Sequence, residues 1–250
     1  MQNIKNQVVL DFDLDFMMGY QTHAPRAADR QALNVSISIR KFENFLDKLC
    51  FHQSSNGLAF ETHTITAKIW ETLILQGKLH PPFTVVHVDA HHDIYKLCYK
   101  EKLNCGNYLV PFIENGLIDN FIWVKPNDML DWQDADINYN SRQFKDIDGT
   151  SGNLKRSIQR ILKGRNYSVT TVAFSPNYCG VKCDSLIPIL ASRLKPSSAC
   201  LRLMRKLSKK HPHEFTRSRF YFEEVPYFRS KTDGARETIC TRRLVSRIQK

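Results

Sequence analysis

One stretch limits the fold more than any other. Phe83 to Val88 reads as a strand, Phe-Thr-Val-Val-His-Val, and it runs straight into Asp89-Ala90-His91-His92-Asp93. A buried strand that ends in acids and histidines belongs at the carboxyl edge of a sheet, where open α/β folds place their active sites. On extended backbone Asp89, His91 and Asp93 share parity and point one way, with His87 one step deeper and His92 turned the other way.

A second strand of this kind lies near the start of the chain. Leu10, Phe12, Leu14 and Phe16 alternate with Asp11, Asp13 and Asp15. A period of two predicts a strand with the three carboxylates on one face. Carboxylates clustered this way repel one another, so a positive charge must offset them or some must be protonated. Taken singly, each motif reads equally well as a set of solvated acids, and the Asp11 row as a Ca²⁺ site. If the two strands are neighbours, a pair of divalent cations is the economical solution. Hard oxygen donors with a minority of imidazoles suit Mn²⁺ better than Zn²⁺.

The rest of the chain alternates strand and helix signals. Ile39, Phe42, Phe45, Leu46 and Leu49 have helical spacing. A second helix leads from Glu61 to Gly77, where glycine ends it. After the Asp89 motif come a short helix, a turn at Asn115-Gly116, and a strand stopped by Pro126. Residues 140–153 read as polar loop, 154–164 as an amphipathic helix, 167–176 as a strand, and 185–195 and 200–210 as helical. Residues 219–228 read as a late strand or an aromatic loop. This alternation predicts an α/β domain with a mainly parallel sheet.

With 250 residues and 42% hydrophobic content, the chain can bury a sizeable core in one large domain or two small ones. It contains no apolar run of about 18 residues, the minimum for a membrane-spanning helix. Its first residues lack the basic-then-apolar pattern of a secretory signal. Seven cysteines at scattered spacings point to reduced thiols and a cytoplasmic setting rather than a disulfide framework. Cys179 and Cys183 form a C-x3-C pair with no second pair to complete a zinc site. The net charge of +11 is uneven. Residues 193–250 hold 16 Lys and Arg against 5 Asp and Glu, while residues 1–192 hold 20 of each. Such a patch is either a solvated face or a contact for acidic partners.

These residues resemble the arginase (ureohydrolase) family. Its D-A-H-x-D signature is matched by Asp89 to Asp93, its upstream histidine by His63, and its S-x-D-x-D strand by Asp11 to Asp15. The motif order is permuted, since the latter strand comes last in arginases and first here. The Asn that follows the arginase signature is absent, Ile94 being followed by Tyr95, and with it goes the contact to a free amino acid's carboxylate. The arginase G-N-x-H histidine is also absent, at Gly106-Asn107-Tyr108-Leu109. The set more closely resembles the UPF0489 branch, which includes peptide arginases. That match runs from the Asp11 strand through Glu61-Thr62-His63, the signature and Asn107-Tyr108 to Trp123-Val124-Lys125-Pro126.

The resemblance implies a single three-layer arginase/deacetylase-like domain over residues 1–250, with a basic part from about 193. It implies two Mn²⁺ ions held by His63, Asp89, His91, Asp93, Asp13 and Asp15, with Asp11, in the place of the family's Ser, a further candidate ligand and Asp89 and Asp13 bridging. It implies hydrolysis of peptidyl arginine to ornithine and urea by a hydroxide held between the metals, during biosynthesis of a modified ribosomal peptide. Asp93 would aim the hydroxide, and His92 is the candidate proton donor. Glu61, Glu223 and Glu224 are candidates for holding the guanidinium, and Asn107 and Tyr108 for lining the pocket. The expected partner is an arginine-containing precursor peptide, met through an acidic leader by Arg202, Arg205, Lys206, Lys209 and Lys210. Two other readings fit parts of the pattern: a zinc-dependent deacetylase-type amidohydrolase, and a non-enzymatic basic nucleic-acid-binding protein. No recognisable nucleic-acid motif supports the latter.

Overall fold

Val8–Asp13 forms β1, the strand on which the others are laid. The computed structural model describes residues 6–23, 38–51, 57–60, 63–95, 104–126, 143–175, 179, 181–194, 198, 202, 216–217 and 227–229. In chain order the further strands are β2 (Gly57–Phe60), β3 (Phe83–Val88), β4 (Ile118–Lys125), β5 (Phe144–Asp148), β6 (Val169–Ala173), β7 (Thr216–Arg217) and β8 (Tyr227–Arg229). The helices are α1 (Ile39–Lys48), α2 (Thr64–Leu75), α3 (Val110–Glu114), α4 (Leu154–Leu162) and α5 (Ile187–Arg193). The sheet order is β5-β4-β3-β1-β6-β2-β8-β7. Every pairing is parallel except β7 with β8.

Helices cover both faces, giving the expected three layers. Val8, Leu10 and Phe12 of β1 pack with α1, α4 and α5 residues such as Phe42, Ile158 and Leu190. Val9 belongs to the opposite core, with Trp70 of α2 and Phe112 of α3. Period-two alternation therefore puts Asp11 and Asp13 on the α2 and α3 side. The chain lays β3, β4 and β5 outward on one side of β1, and β6 and β2 on the other. Such a reversal opens a crevice at the carboxyl ends of the strands.

Three local features differ from the sequence expectation. The first strand stops at Asp13, and Leu14–His23 is a 3-10 helix. The Asp13 carboxylate captures the Asp15 N–H at 3.0 Å and turns the chain out of the sheet. Residues 144–148 are not loop but the edge strand β5. As an edge strand it needs little apolar sequence, and only Phe144 is buried, packed on Phe121. β2 is four residues long and starts with a glycine, too short for periodicity to mark it. Gly57 is required there, because a Cβ would meet Leu194 Cδ2 at 2.6 Å and its Cα at 3.1 Å.

Ile39, read as part of α1's apolar face, is 50% exposed, and the buried stripe begins at Phe42. Gly77 takes φ +64 and ends α2 as its sequence position implies. The late aromatic stretch contributes Tyr227 and Phe228 to β8. Arg202 is helical and exposed, whereas Arg205, Lys206, Lys209 and Lys210 lie outside the described residues. Among the described residues no helix is long and apolar enough to cross a membrane.

The side chain between the two strand aspartates holds the sheet to α1. Phe12 lies with its ring centroid 6.3 Å from Phe42 and stacks on Phe51 at 6.5 Å. Phe12→Ala is expected to cost about 3–5 kcal/mol, read as a lower urea midpoint with an unchanged slope.

Candidate metal centre

The two acidic motifs meet because β1 and β3 are direct parallel neighbours. Their register pairs Asp11 with His87 and Phe12 with Val88. Asp13 ends one strand and Asp89 follows the other, so their carboxylates share one edge. His63 stands immediately before α2, which packs over that same face.

The donor atoms converge closely. His63 Nδ1 lies 2.9 Å from Asp93 Oδ2, 3.2 Å from Asp89 Oδ2 and 3.3 Å from Asp13 Oδ2. His91 Nδ1 lies 3.2 Å from Asp15 Oδ2 and 3.6 Å from Asp89 Oδ1. Three groups have the spacing to hold an ion: Asp13–His63–Asp89, Asp15–Asp89–His91 and His87–Asp89–Asp93. Asp89 belongs to all three, and its two oxygens face different histidines.

Parity along an extended strand does not produce this arrangement. The backbone bends after Val88, and Asp93 takes φ +55, a left-handed conformation that aspartate tolerates better than most residues. Asp89 Oδ1 accepts the His91 N–H at 2.7 Å, and Trp123 Nε1 donates to the Asp89 carbonyl at 2.9 Å. Ala90 N–H donates to Asp15 Oδ1 at 3.4 Å, tying the 3-10 helix to the turn. Ser175, at φ +41 just beyond β6, donates its hydroxyl to Asp13.

The remaining candidates are placed differently. Asp11 lies outside the three ligand groups, one layer deeper. Its carboxylate accepts from Thr171 Oγ1 at 2.6 Å, Thr66 Oγ1 at 3.4 Å and the Tyr108 hydroxyl, and it faces His87 Nδ1 at 3.1 Å. Tyr108 is fully buried with its hydroxyl committed to Asp11. Asn107 is also fully buried, its side-chain carbonyl accepting from Asn104 N–H at 2.7 Å. His92 turns away and packs on Tyr95 and Trp123. Glu61, Glu223 and Glu224 lie outside the described residues. Thr66, Thr171 and Ser175 carried no signal in the sequence, because one hydroxyl on a helix or strand looks like any other. His87 did carry one, the parity it shares with Asp89.

Charge explains why the cluster calls for a cation. Burial, then repulsion from Asp15 and Asp89 against the pull of His63, leaves the Asp13 carboxyl well above its usual range. Burial and the Asp89 charge raise Asp15 to about 6 and Asp93 to about 7. Asp89 resists burial and stays well below the ordinary range through hydrogen bonds to His63, His87 and His91. Burial opposes protonation of His91, but Asp15 and Asp89 push it up to about 12. His63 is raised too, against burial, chiefly by Asp11 and Asp13. His92 is pulled down to about 3 by burial and then by His87 and His91, so it stays neutral.

These residues fit a metal. One hydrogen on His63 Nδ1 can satisfy only one of the three carboxylate oxygens around it, and the others are left facing one another. Donor atoms about 3 Å apart match neighbours around one octahedral ion at about 2.1 Å. The set is oxygen with a minority of imidazole, and among the described residues no thiol joins it. Cys179 and Cys183 are buried, with Cys183 Sγ 3.4 Å from Met18 Sδ.

Because Asp89 is common to every group, Asp89→Asn should weaken Mn²⁺ binding overall by about 100-fold or more, whereas Asp15→Asn should leave one site intact; calorimetric titration measures both. Metal ligands must be deprotonated, and His63 and His91 hold their protons through neutral pH in the metal-free protein. Mn²⁺ binding should therefore release protons and tighten as pH rises from 6 to 8. Titration heats that do not vary with the buffer's ionisation enthalpy would contradict this. Comparison with protein-family models, curated proteins and solved structures finds no match to this chain.

Proposed function

We propose that the protein is a binuclear-metal hydrolase of the arginase type, converting peptidyl arginine and water to peptidyl ornithine and urea. The observation that carries this reading is Asp89, whose Oδ2 faces His63 at 3.2 Å while Oδ1 faces His91 at 3.6 Å. A carboxylate presented in that way could serve two groups of ligands at once. His63, Asp13, Asp89 and Asp93 would hold one ion, and His91, Asp15 and Asp89 the other. The resemblance to arginases makes them Mn²⁺, in keeping with the hard donors. Paired ions of this type supply Lewis acidity and water activated at neutral pH.

The chain's own residues supply position and proton transfer. Asp93, turned back by its left-handed backbone, accepts a hydrogen bond from the attacking water and aims it at the guanidinium carbon. The proton that the water gives up passes to the arginine Nε as its bond to the guanidinium carbon breaks, releasing urea and the ornithine amine. A guanidinium is held best by a carboxylate that matches its planar fork. Glu61 is the first candidate for that carboxylate, and Glu223 and Glu224 are the alternatives. A peptide rather than a free amino acid suits a chain without the arginase Asn after the signature. The basic residues after Arg193 would hold an acidic leader. Deacetylase-type chemistry on a single Zn²⁺ needs an adjacent pair of histidines at the centre. Here His92 packs on Tyr95 and Trp123 instead.

The test is to incubate the Mn²⁺-loaded protein with free arginine and with arginine-containing peptides bearing an acidic segment. Urea, together with the mass loss of an arginine-to-ornithine conversion, is expected from the peptides and should disappear on chelation and return with Mn²⁺. No urea from any substrate would overturn the reading.

A further inference from the structure

His87 has no part in the reaction above, yet it lies fully buried beneath the centre. Its Nδ1 is 3.1 Å from Asp11 Oδ2. Its Nε2 is 3.1 Å from the carbonyl oxygen of His91, 3.3 Å from Asp89 Oδ2 and 4.0 Å from Asp93 Oδ2. These distances would suit a third metal-binding histidine. The hydrogen bond to His91 decides otherwise. A carbonyl oxygen has no hydrogen to give, so Nε2 must be the donor, whichever partner holds the proton between Nδ1 and Asp11. A ring nitrogen that carries a hydrogen has no lone pair for a metal.

The other end of the contact is firmly anchored. Asp11 is gripped by Thr171 of β6, Thr66 of α2 and Tyr108 from the turn before α3. A carboxylate held by three further elements gives His87 a fixed base. The His91 carbonyl, in turn, sits midway in the turn that carries Asp89, His91 and Asp93.

We propose that His87 is the positioning residue of the centre: braced by Asp11, it donates through Nε2 to the His91 carbonyl and fixes the turn that aims Asp89, His91 and Asp93 at one point. The inference rests on the metal-binding part of the proposed function and not on the substrate. Asp11 then serves as the brace rather than as a ligand.

The test uses the full chain with Mn²⁺ as probe, combining calorimetric titration with pulsed electron paramagnetic resonance to identify the imidazole nitrogens coupled to the metal. Only His63 and His91 should couple in the wild type, and His87→Gln should leave that signal unchanged. His87→Ala should weaken binding about 10- to 100-fold. His87→Gln should recover most of the loss, because its amide nitrogen reaches the place of Nε2. Loss of a coupled imidazole in His87→Gln would make His87 a ligand and overturn the proposal. So would wild-type affinity in His87→Ala. Should the alanine variant fail to fold, His87→Asn replaces it. Asn reaches only the place of Nδ1 and must bind Mn²⁺ more weakly than the Gln variant, and equal affinities would overturn the proposal. A wild type that binds Mn²⁺ but releases no urea removes the arginase reading and leaves this one standing. A wild type that takes up no Mn²⁺ removes both.

Discussion

Four carboxylates buried at the carboxyl edge of one sheet cannot all stay ionised without positive charge among them. Asp13, Asp15, Asp89 and Asp93 are each no more than 5% exposed, and their donor oxygens lie within about the width of one ion of His63 or His91. In the metal-free protein the conflict is met by protons on Asp13, partly on Asp93, and on the imidazoles of His63 and His91. A divalent cation meets it without them, and that exchange is the physical link between the fold and any hydrolytic chemistry. The surroundings serve the same end. Thr171, Thr66 and Tyr108 satisfy Asp11, so the carboxylate furthest from the edge needs no metal.

How such a cluster forms at all is a matter of strand pairing. Parallel strands present their carboxyl ends on one side of the sheet, whatever their order along the chain. β1 is the first strand and β3 the third, yet they are neighbours in register, and β6 on the other flank brings Ser175 to Asp13. The order of the motifs along the chain therefore costs the centre nothing, provided each motif ends a strand and the strands lie side by side. The crossover that places β2 on one flank and β3 on the other makes β1 the point where the sheet reverses. Asp11 and Asp13 point into the resulting crevice because Phe12 points into the opposite core.

Much of this was legible in the sequence, and the exceptions have physical reasons. Alternation of apolar residues with Asp11 and Asp13 gave both the strand and the face, since Phe12 has nowhere to go but a core. Asp15 broke the pattern because a side-chain contact, Asp13 to the Asp15 N–H, turned the chain before periodicity ran out. The convergence of Asp89, His91 and Asp93 was foreseen for the wrong reason. It comes from a turn with one left-handed residue rather than from extended parity, and a turn held by a tryptophan distant in sequence leaves no local signature. β5 was invisible because an edge strand buries a single phenylalanine, and β2 because four residues show no period. The hydroxyls that hold Asp11 and Asp13 are found only when the chain is folded.

The left-handed residues at the site argue that the centre is preorganised. Asp93 and Ser175 both hold positive φ, and both end in contact with the centre, Asp93 through His63 and Ser175 through Asp13. A non-glycine residue held there costs of order 1–3 kcal/mol and persists only where its surroundings determine it. The surroundings here are two fully packed cores, one on each face of the sheet, with Trp123 pinning the Asp89 carbonyl from the neighbouring strand. A rigid frame of this kind fixes donor atoms before any ion arrives. Binding then need not order the side chains, and the free energy of coordination goes into affinity and into the position of whatever substrate meets the metal.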